Sequence, residues 1–264
     1  AAEEDVRRAG APDVMSVAAD VGVEEEANRL VHRALDRFGA VDVLVNNAGT
    51  ILVGPEAAMT VDDYRRVLAT NFWGAVYTSQ ALLPHMRQRQ FGRIANIVSI
   101  GGLSATPHLA PYVASKFALT GYTRSLRADC ARDGILVTGV YPKTIRTGGH
   151  THAYFKGDVN AEYLWFSASD TLPLISASAE ALAPRIWAAI CDGDPELIPS
   201  AVARLAMAFD ALTPSWSAEL KALIERGMPA ASNLDAPPVR GGDISGQMAE
   251  MFSQMVPPAT RPTG

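Results

Sequence analysis

Apolar and polar positions along most of the chain follow helical and strand-like periods in alternation. Apolar residues recur on one face at helical spacing over residues 23–38, and Gly39 follows in the position of a helix C-cap. Continuous apolar runs predict buried strands at residues 41–45 (VDVLV), 93–100 (RIANIVSI) and 135–141 (ILVTGVY). Because helices separate these runs, the pattern predicts a parallel sheet with helices on both faces.

The other predicted elements extend the sequence of helices and strands to residue 226. We predict helices over residues 2–9, 60–89, 111–132, 179–191, 201–212 and 215–226, and short strands over residues 14–18 and 196–198. Thr60 and Asp63 have the spacing of a capping box at the start of the longest helix. Residues 150–176 form an irregular aromatic stretch. Pro, Gly and Ser dominate from Pro229 onward, which predicts a flexible tail over residues 229–264.

Composition excludes several classes of protein. A chain of 264 residues with 48% hydrophobic and 19% charged residues is neither disordered nor fibrous. A net charge of −5 gives no basic footprint for nucleic acid. No apolar run reaches the ~18 residues that a spanning helix needs. Cys130 and Cys191 form no disulfide or zinc pattern, so we expect two buried thiols in a reducing compartment, a cytoplasmic location and no metal site.

Four residues have side chains that could take part in catalysis or binding. Tyr112 and Lys116 are four positions apart on one predicted helix, so they share a face. Ser99 lies at the end of the strand over residues 93–100, and carboxyl ends of parallel strands are where α/β sheets bind ligands. Asn71 lies inside the longest predicted helix, where Asn is unfavourable. We therefore expect a local kink or a specific task for Asn71.

These residues resemble a known family. The run Asn46-Asn47-Ala48-Gly49, the helical Asn71, Ser99 and Tyr112-x-x-x-Lys116 follow one another as in the short-chain dehydrogenase/reductase family in its simple form. The segment from Pro142 to Thr147 is similar to that family's P-G-x-[IV]-x-T segment beside the nicotinamide, with Lys143 in place of Gly; Lys143 either crowds the nicotinamide or points to solvent. Asp20-Val21 is similar to the family's acidic-apolar pair at the adenine. The resemblance covers residues 1–200.

The resemblance implies a Rossmann-like, doubly wound parallel sheet and an NAD- or NADP-dependent oxidoreductase that interconverts an alcohol with a ketone or aldehyde. Tyr112 would be the general acid and base, Ser99 would orient the substrate oxygen, Lys116 would hold the nicotinamide ribose, and Asn71 would anchor a water that relays protons. The implied cofactor-binding residues are Asp20, Val21, Asn47, Ala48, Gly49, Tyr112, Lys116, Pro142, Ile145 and Thr147.

A simple electrostatic argument supports the Tyr–Lys pair. A free Tyr has a pKa of about 10, and bringing it near 7 requires about 4 kcal/mol. A cation ~4 Å away at an effective dielectric constant of ~20 supplies about that much. We therefore expect Lys116 to provide most of a lowering of the Tyr112 pKa.

One departure from the family concerns the phosphate-binding loop. The family begins with a strand, a T-G-x-x-x-G-x-G turn and a helix that holds the pyrophosphate, and this sequence contains no such motif. We therefore expect a truncated fragment whose sheet lacks its first two strands and which binds the cofactor weakly. The alternative is a catalytically weak fragment that acts only as a binding or interaction module. A serine hydrolase using Ser99 would need Gly at position 97, which is Ile.

The last predictions concern substrate and partners. Aromatic residues cluster between residues 151 and 177, where the family has a substrate lid, namely Tyr154, Phe155, Tyr163, Trp165 and Phe166. They either pack as the core of that lid or form a pocket for a bulky apolar alcohol or carbonyl compound. The apolar segment 201–212, in a C-terminal helical extension over residues 201–228, favours a protein contact. The resemblance implies a homodimer or homotetramer formed through the helices at 60–89 and 111–132.

Overall fold

The computed structural model describes residues 2–145, 148–171 and 177–247. Its helices are α1 (Ala2–Arg8), α2 (Glu24–Phe38), α3 (Val61–Leu68), α4 (Gly74–Arg89), α5 (Ala110–Asp129), α6 (Gly149–His152), α7 (Val159–Thr171), α8 (Ala179–Asp192), α9 (Ala201–Leu212) and α10 (Pro214–Glu225). Its strands are β1 (Val43–Asn46), β2 (Leu52–Val53), β3 (Gly92–Ile97), β4 (Ile135–Val140), β5 (Tyr154–Phe155), β6 (Glu196–Leu197) and β7 (Val239–Arg240).

The main sheet has four parallel strands in the order β1-β3-β4-β6. Its register places Val45 beside Ala95, and Ala95 beside Thr138. Ile94 and Val137 are fully buried in a core to which α2, α4 and α5 contribute. The predicted Rossmann-like α/β fold is confirmed, and its parallel connections bring the ends of β1, β3 and β4 to one edge.

A second, smaller sheet was not predicted. Its order is β2-β5-β7, and its strands have two residues each. Residues 150–176 are therefore not irregular as a whole, because they include β5 and the described part of α7. The flexible-tail prediction is wrong for residues 239–247, because β7 pairs with β5 and Ile244 is 1% exposed in the same apolar cluster as Phe155.

The predicted strand at residues 14–18 does not form. Its backbone groups find partners on α1 instead: the Ser16 amide donates to Glu3 at 2.7 Å, and the Val14 carbonyl accepts from Arg7 at 3.2 Å. An apolar run becomes a strand only beside another strand, and within the described residues none lies next to this one. The prediction was wrong because local pattern does not supply a partner.

The long helix predicted over residues 60–89 is interrupted at Asn71. One turn of π-helix, Ala69–Trp73, separates α3 from α4. The start agrees with prediction, since Thr60 and Asp63 form a reciprocal capping box. A π-turn inserts an extra residue and is frequent at functional sites, so the expectation of a local irregularity at Asn71 is confirmed.

The C-terminal helices α9 and α10 pack against each other. Asp210 of α9 accepts hydrogen bonds from Ser217 and, at 2.7 Å, from Lys221 of α10. Leu205 and Trp216 leave about three quarters of their surface exposed, at 74% and 75%. In the part of the chain that the structure describes, no helix combines the length and apolar character needed to cross a membrane.

Candidate active site

A cavity of about 420 Å³ opens where β3 and β4 end. Its polar lining includes Ser99, Tyr112 and Lys116. The rest of the wall is mostly apolar and includes Ile51, Leu109, Trp165 and Phe166. The topology therefore brings together three of the four residues to which the resemblance assigns catalytic roles, and the fourth, Asn71, lies just behind the wall.

Ser99 and Tyr112 meet because a tight turn links their elements. Ser99 follows β3 and its Oγ accepts a hydrogen bond from the Gly101 amide at 3.1 Å, which starts the short 3₁₀ turn Ile100–Gly102. Tyr112 lies in the first turn of α5. The two side chains flank one point, since a Cβ at Gly101 would lie 3.3 Å from Tyr112 Cε1 and 3.5 Å from Ser99 Oγ. A substrate oxygen at this point would face both hydroxyl groups.

Burial is the largest influence on the Tyr112 phenol, and it raises the pKa of Tyr112 above its ordinary value. The hydrogen bond with Ser99 lowers that pKa but does not outweigh burial. The expectation that Lys116 lowers the pKa of Tyr112 is therefore wrong. Sequence spacing gave the shared helix face, but it did not show how little solvent reaches the phenol.

The Lys116 ammonium group forms its hydrogen bond with β3 and not with Tyr112. Its Nζ donates to the Ile97 carbonyl at 2.9 Å and lies 5.7 Å from the centre of the Tyr112 ring. Lys116 is 5% exposed, and burial lowers its pKa to about 8. An ammonium group has three donors, so two remain for a ligand in the cavity.

The π-turn directs the Asn71 side chain at the loop after β1. Asn71 Oδ1 accepts from the Thr50 amide at 2.7 Å, and its Nδ2 donates to the Thr50 carbonyl at 3.0 Å and to Ser115 Oγ at 2.9 Å. Ser115 Oγ in turn donates to the Tyr112 carbonyl at 2.7 Å. Asn71 thus ties the loop after β1 to the helix that carries Tyr112 and Lys116.

The space beside Gly49 fits the ribose end of a nicotinamide nucleotide. A Cβ at Gly49 would lie 3.3 Å from Asn71 Oδ1 and 3.8 Å from Lys116 Nζ, so a side chain there would enter the space in front of the lysine. Asn47 and Gly49 line the same cavity. Gly49 has no side chain, so a ligand can approach its backbone closely. The two remaining donors of Lys116 and the adjacent loop could form hydrogen bonds with the hydroxyl groups of a sugar.

A buried amide network below this loop was not singled out from the sequence. Asn46 Nδ2 donates to Asn96 Oδ1 at 2.9 Å, and Asn96 Nδ2 donates to Thr123 Oγ1 at 2.9 Å. The network joins β1, β3 and α5. Buried side-chain amides need hydrogen-bond partners. The position of Asn46 at the end of a predicted strand, next to Asn47, was the feature of the sequence that could have indicated this network.

The remaining predicted cofactor residues lie in different places. Pro142 and Ile145 line the cavity, as does Lys143. Asp20, Val21 and Ala48 are not among its lining residues: the Asp20 carboxylate accepts from the Gly22 amide at 2.9 Å, and Val21 packs against Gly74 at the start of α4. Thr147 lies outside the described residues.

Comparisons with known proteins agree with this geometry. A family model described as short chain dehydrogenase matches residues 1–154. An uncharacterized oxidoreductase, YxnA, from Bacillus subtilis is 37% identical over 145 residues, 54% of this chain and 41% of that protein. A protein of Arabidopsis thaliana named 11-beta-hydroxysteroid dehydrogenase-like 4A is 36% identical over 143 residues, 54% of this chain and 47% of that protein.

A solved structure of a short-chain dehydrogenase from Streptomyces avermitilis is similar over most of the chain, with a TM-score of 0.70, 29% identity and 86% of each chain covered. The chain spans about half the length of the curated relatives it matches. The matching family model covers more than half of the chain, and it includes Ser99, Tyr112 and Lys116. This chain therefore belongs to the short-chain dehydrogenase family.

Proposed function

We propose that this chain carries the catalytic site of an NAD(P)-dependent oxidoreductase that interconverts an alcohol with a ketone or aldehyde. The observation that carries the proposal is that Ser99, Tyr112 and Lys116 line a single cavity. These three residues provide a proton donor, a second hydroxyl group and a cation. The apolar residues that line the same cavity suit the carbon skeleton of a substrate.

The chain's own residues have distinct roles in this proposal. The hydroxyl groups of Ser99 and Tyr112 bind the substrate oxygen, and Tyr112 gives a proton to that oxygen during reduction or removes it during oxidation. Lys116 and the loop at Gly49 hold the nicotinamide ribose. A bound nicotinamide supplies or accepts the hydride. Asn71 acts as a positioning residue, because its side-chain hydrogen bonds go to Thr50 and Ser115.

The raised pKa of Tyr112 favours one direction at neutral pH. A phenol with a pKa above its ordinary value is protonated there and is ready to act as an acid, so carbonyl reduction finds the site in the correct state. Oxidation of an alcohol needs the phenolate, which is scarce at neutral pH.

We expect the two directions to differ in pH dependence. Below about pH 8, where Lys116 also keeps its charge, kcat/KM for oxidation should rise about tenfold per pH unit, because the phenolate fraction of Tyr112 does. Over the same range kcat/KM for reduction should stay nearly constant. Steady-state kinetics with NADH or NADPH and cyclohexanone, and with the oxidised nucleotides and cyclohexanol, measure both profiles. Parallel profiles in the two directions would contradict the assignment of Tyr112.

The apolar lining of the cavity supports the bulky apolar substrate. Trp165 and Phe166 come from α7, inside the segment 151–177 that the resemblance identifies as a lid, and Leu109 and Ile51 belong to the same apolar cluster. The rings of Trp165 and Phe166 meet edge to face with their centres 5.7 Å apart. We propose that these four side chains contact the hydrocarbon part of the substrate, with the carbonyl group directed at Ser99 and Tyr112.

A further inference from the structure

A buried carboxylate lies directly behind the cavity wall and has no role in the proposed proton transfer. Glu162 of α7 is 0% exposed. Its Oε2 accepts a hydrogen bond from Trp165 Nε1 at 2.6 Å, and its Oε1 lies 2.6 Å from His108 Nδ1. A carboxylate can only accept, so Nδ1 carries the proton in this pair. We call the side chains of His108, Glu162 and Trp165 the indole brace.

His108 is fixed from both sides and at its backbone. Its Nε2 faces Glu225 of α10, with an Oε2 distance of 3.2 Å, while its carbonyl accepts from the Gly54 amide at 2.8 Å. Its φ of 59° is left-handed, a conformation that is uncommon for residues other than Gly and that His adopts more often than most. The partners at both ring nitrogens and at the carbonyl hold the His108 ring in one position.

The brace contacts the cavity through its indole. Trp165 lines the cavity, and its ring lies edge to face with the His108 imidazole, with the ring centres 6.5 Å apart. Leu109, next to His108 in the chain, lines the same cavity. Glu162 precedes Trp165 by one helical turn, so its carboxylate fixes the polar edge of the indole while the ring forms the wall.

Core packing alone does not account for a carboxylate at this position. An apolar side chain would fill the space behind the indole without the cost of burying a charge. A carboxylate held by His108 instead fixes the direction of the Trp165 N–H, and with it the plane of the ring. Glu162, Trp165 and Glu225 all follow residues 1–154, which the family model matches.

We propose that Glu162, positioned by His108, is a specificity-determining residue that sets the plane of Trp165 and so limits the size of the apolar substrate. The effect on substrate size rests on the proposed function. The fixed orientation of the Trp165 ring does not depend on turnover.

The kinetic test compares a bulky ketone, 2-decalone, with a small one, cyclohexanone. Glu162→Ala should change the ratio of their kcat/KM values by about tenfold, the effect of a modest change in pocket shape. Glu162→Gln keeps an acceptor for the indole, and its NH2 group can donate to His108 Nδ1 once the imidazole carries its proton on Nε2, so it should retain the original ratio. His108→Asn, which suits a left-handed backbone, should shift the ratio in the same direction as Glu162→Ala. Glu219→Ala, at an exposed position of α10, is the matched control.

The structural test follows Trp165 itself. The other three tryptophans, Trp73, Trp187 and Trp216, are exposed and can be replaced by Phe. In that background Glu162→Ala should increase the acrylamide quenching of Trp165 fluorescence, and Glu162→Gln should not. Thermal unfolding followed by circular dichroism verifies that each variant is folded, and His108→Asn replaces Glu162→Ala if the latter is not.

The outcomes separate the two proposals. Quenching that is the same in the parent, Glu162→Ala and His108→Asn overturns the brace, whatever the activity. An equal loss of kcat/KM for both ketones in Glu162→Ala also overturns it, because a specificity residue must discriminate. Absence of turnover of either ketone by the unsubstituted protein counts against the proposed function alone, and the quenching experiment still decides the brace.

Discussion

Replacing Tyr112 with Phe is expected to lower kcat/KM for ketone reduction by about 10²- to 10⁴-fold, the usual contribution of a positioned general acid. Phe keeps the ring and its packing but removes the hydroxyl group that is paired with Ser99. Steady-state assays with NADH or NADPH measure the loss.

The control for Tyr112→Phe is Tyr64→Phe. Tyr64 lies on α3, and its hydroxyl group donates a hydrogen bond to Glu56 at 2.6 Å. Tyr64 is not among the residues that line the cavity. Its removal should leave kcat/KM unchanged. Full activity of Tyr112→Phe would require a different proton donor and would remove the basis of the proposed function.

Replacing Lys156 with Ala is expected to lower the free energy of unfolding by about 1.5–3 kcal/mol, the contribution of a hydrogen bond to a charged group, because Asp63 keeps Arg66 as a second cation at 2.7 Å. Lys156 Nζ lies 2.8 Å from Asp63 Oδ2, and both residues are 4% exposed. The pair links the chain after β5 to the first turn of α3. Without Lys156 the Asp63 carboxylate remains buried with less compensation. Urea unfolding measures the difference.

Two comparisons test this prediction. The exposed pair of Arg65 and Asp62 gives a matched control, because Arg65→Ala should cost less than about 1 kcal/mol. The double variant Lys156→Met with Asp63→Asn should be more stable than Lys156→Met alone, since the buried carboxylate that has lost its lysine partner is then also removed. A Lys156→Ala variant as stable as Arg65→Ala would show that the pair contributes nothing.

The Asp63 pair also has a definite pH dependence. Burial alone would raise the pKa of Asp63, but hydrogen bonds from Lys156 and Thr60 outweigh it and lower that pKa. A carboxyl group with a lowered pKa stabilises the fold above its unfolded pKa of about 3.9, and this stabilisation is lost as the pH falls through the folded value. The difference between the parent and Lys156→Ala should therefore shrink in acid.

The sequence was informative where chemistry is local. Buried parallel strands are continuous apolar runs, so β3 and β4 were predictable within a few residues. Tyr112 and Lys116 are one helical turn apart, and Ser99 ends a strand, so their meeting followed from topology. The capping box of Thr60 and Asp63 is also a local pattern.

Contacts between residues far apart in the sequence could not be predicted from local patterns. His108 and Glu162 are 54 positions apart, and neither has a motif. The small sheet has two-residue strands, too short to show a period. The run at residues 14–18 has a strand-like pattern but no strand beside it. The pKa direction of Tyr112 depends on burial, which arises from residues as distant in sequence as Trp165.

The most direct measurement is an ultraviolet difference titration of the Tyr112 phenol, taken as the unsubstituted protein minus Tyr112→Phe. The account predicts ionisation above the ordinary tyrosine value of about 10. It predicts a further upward shift in Ser99→Ala, because that variant loses the hydrogen bond that lowers the pKa. Ionisation at or below the ordinary value, with no response to Ser99→Ala, would contradict the pairing of these two hydroxyl groups on which the proposed chemistry depends.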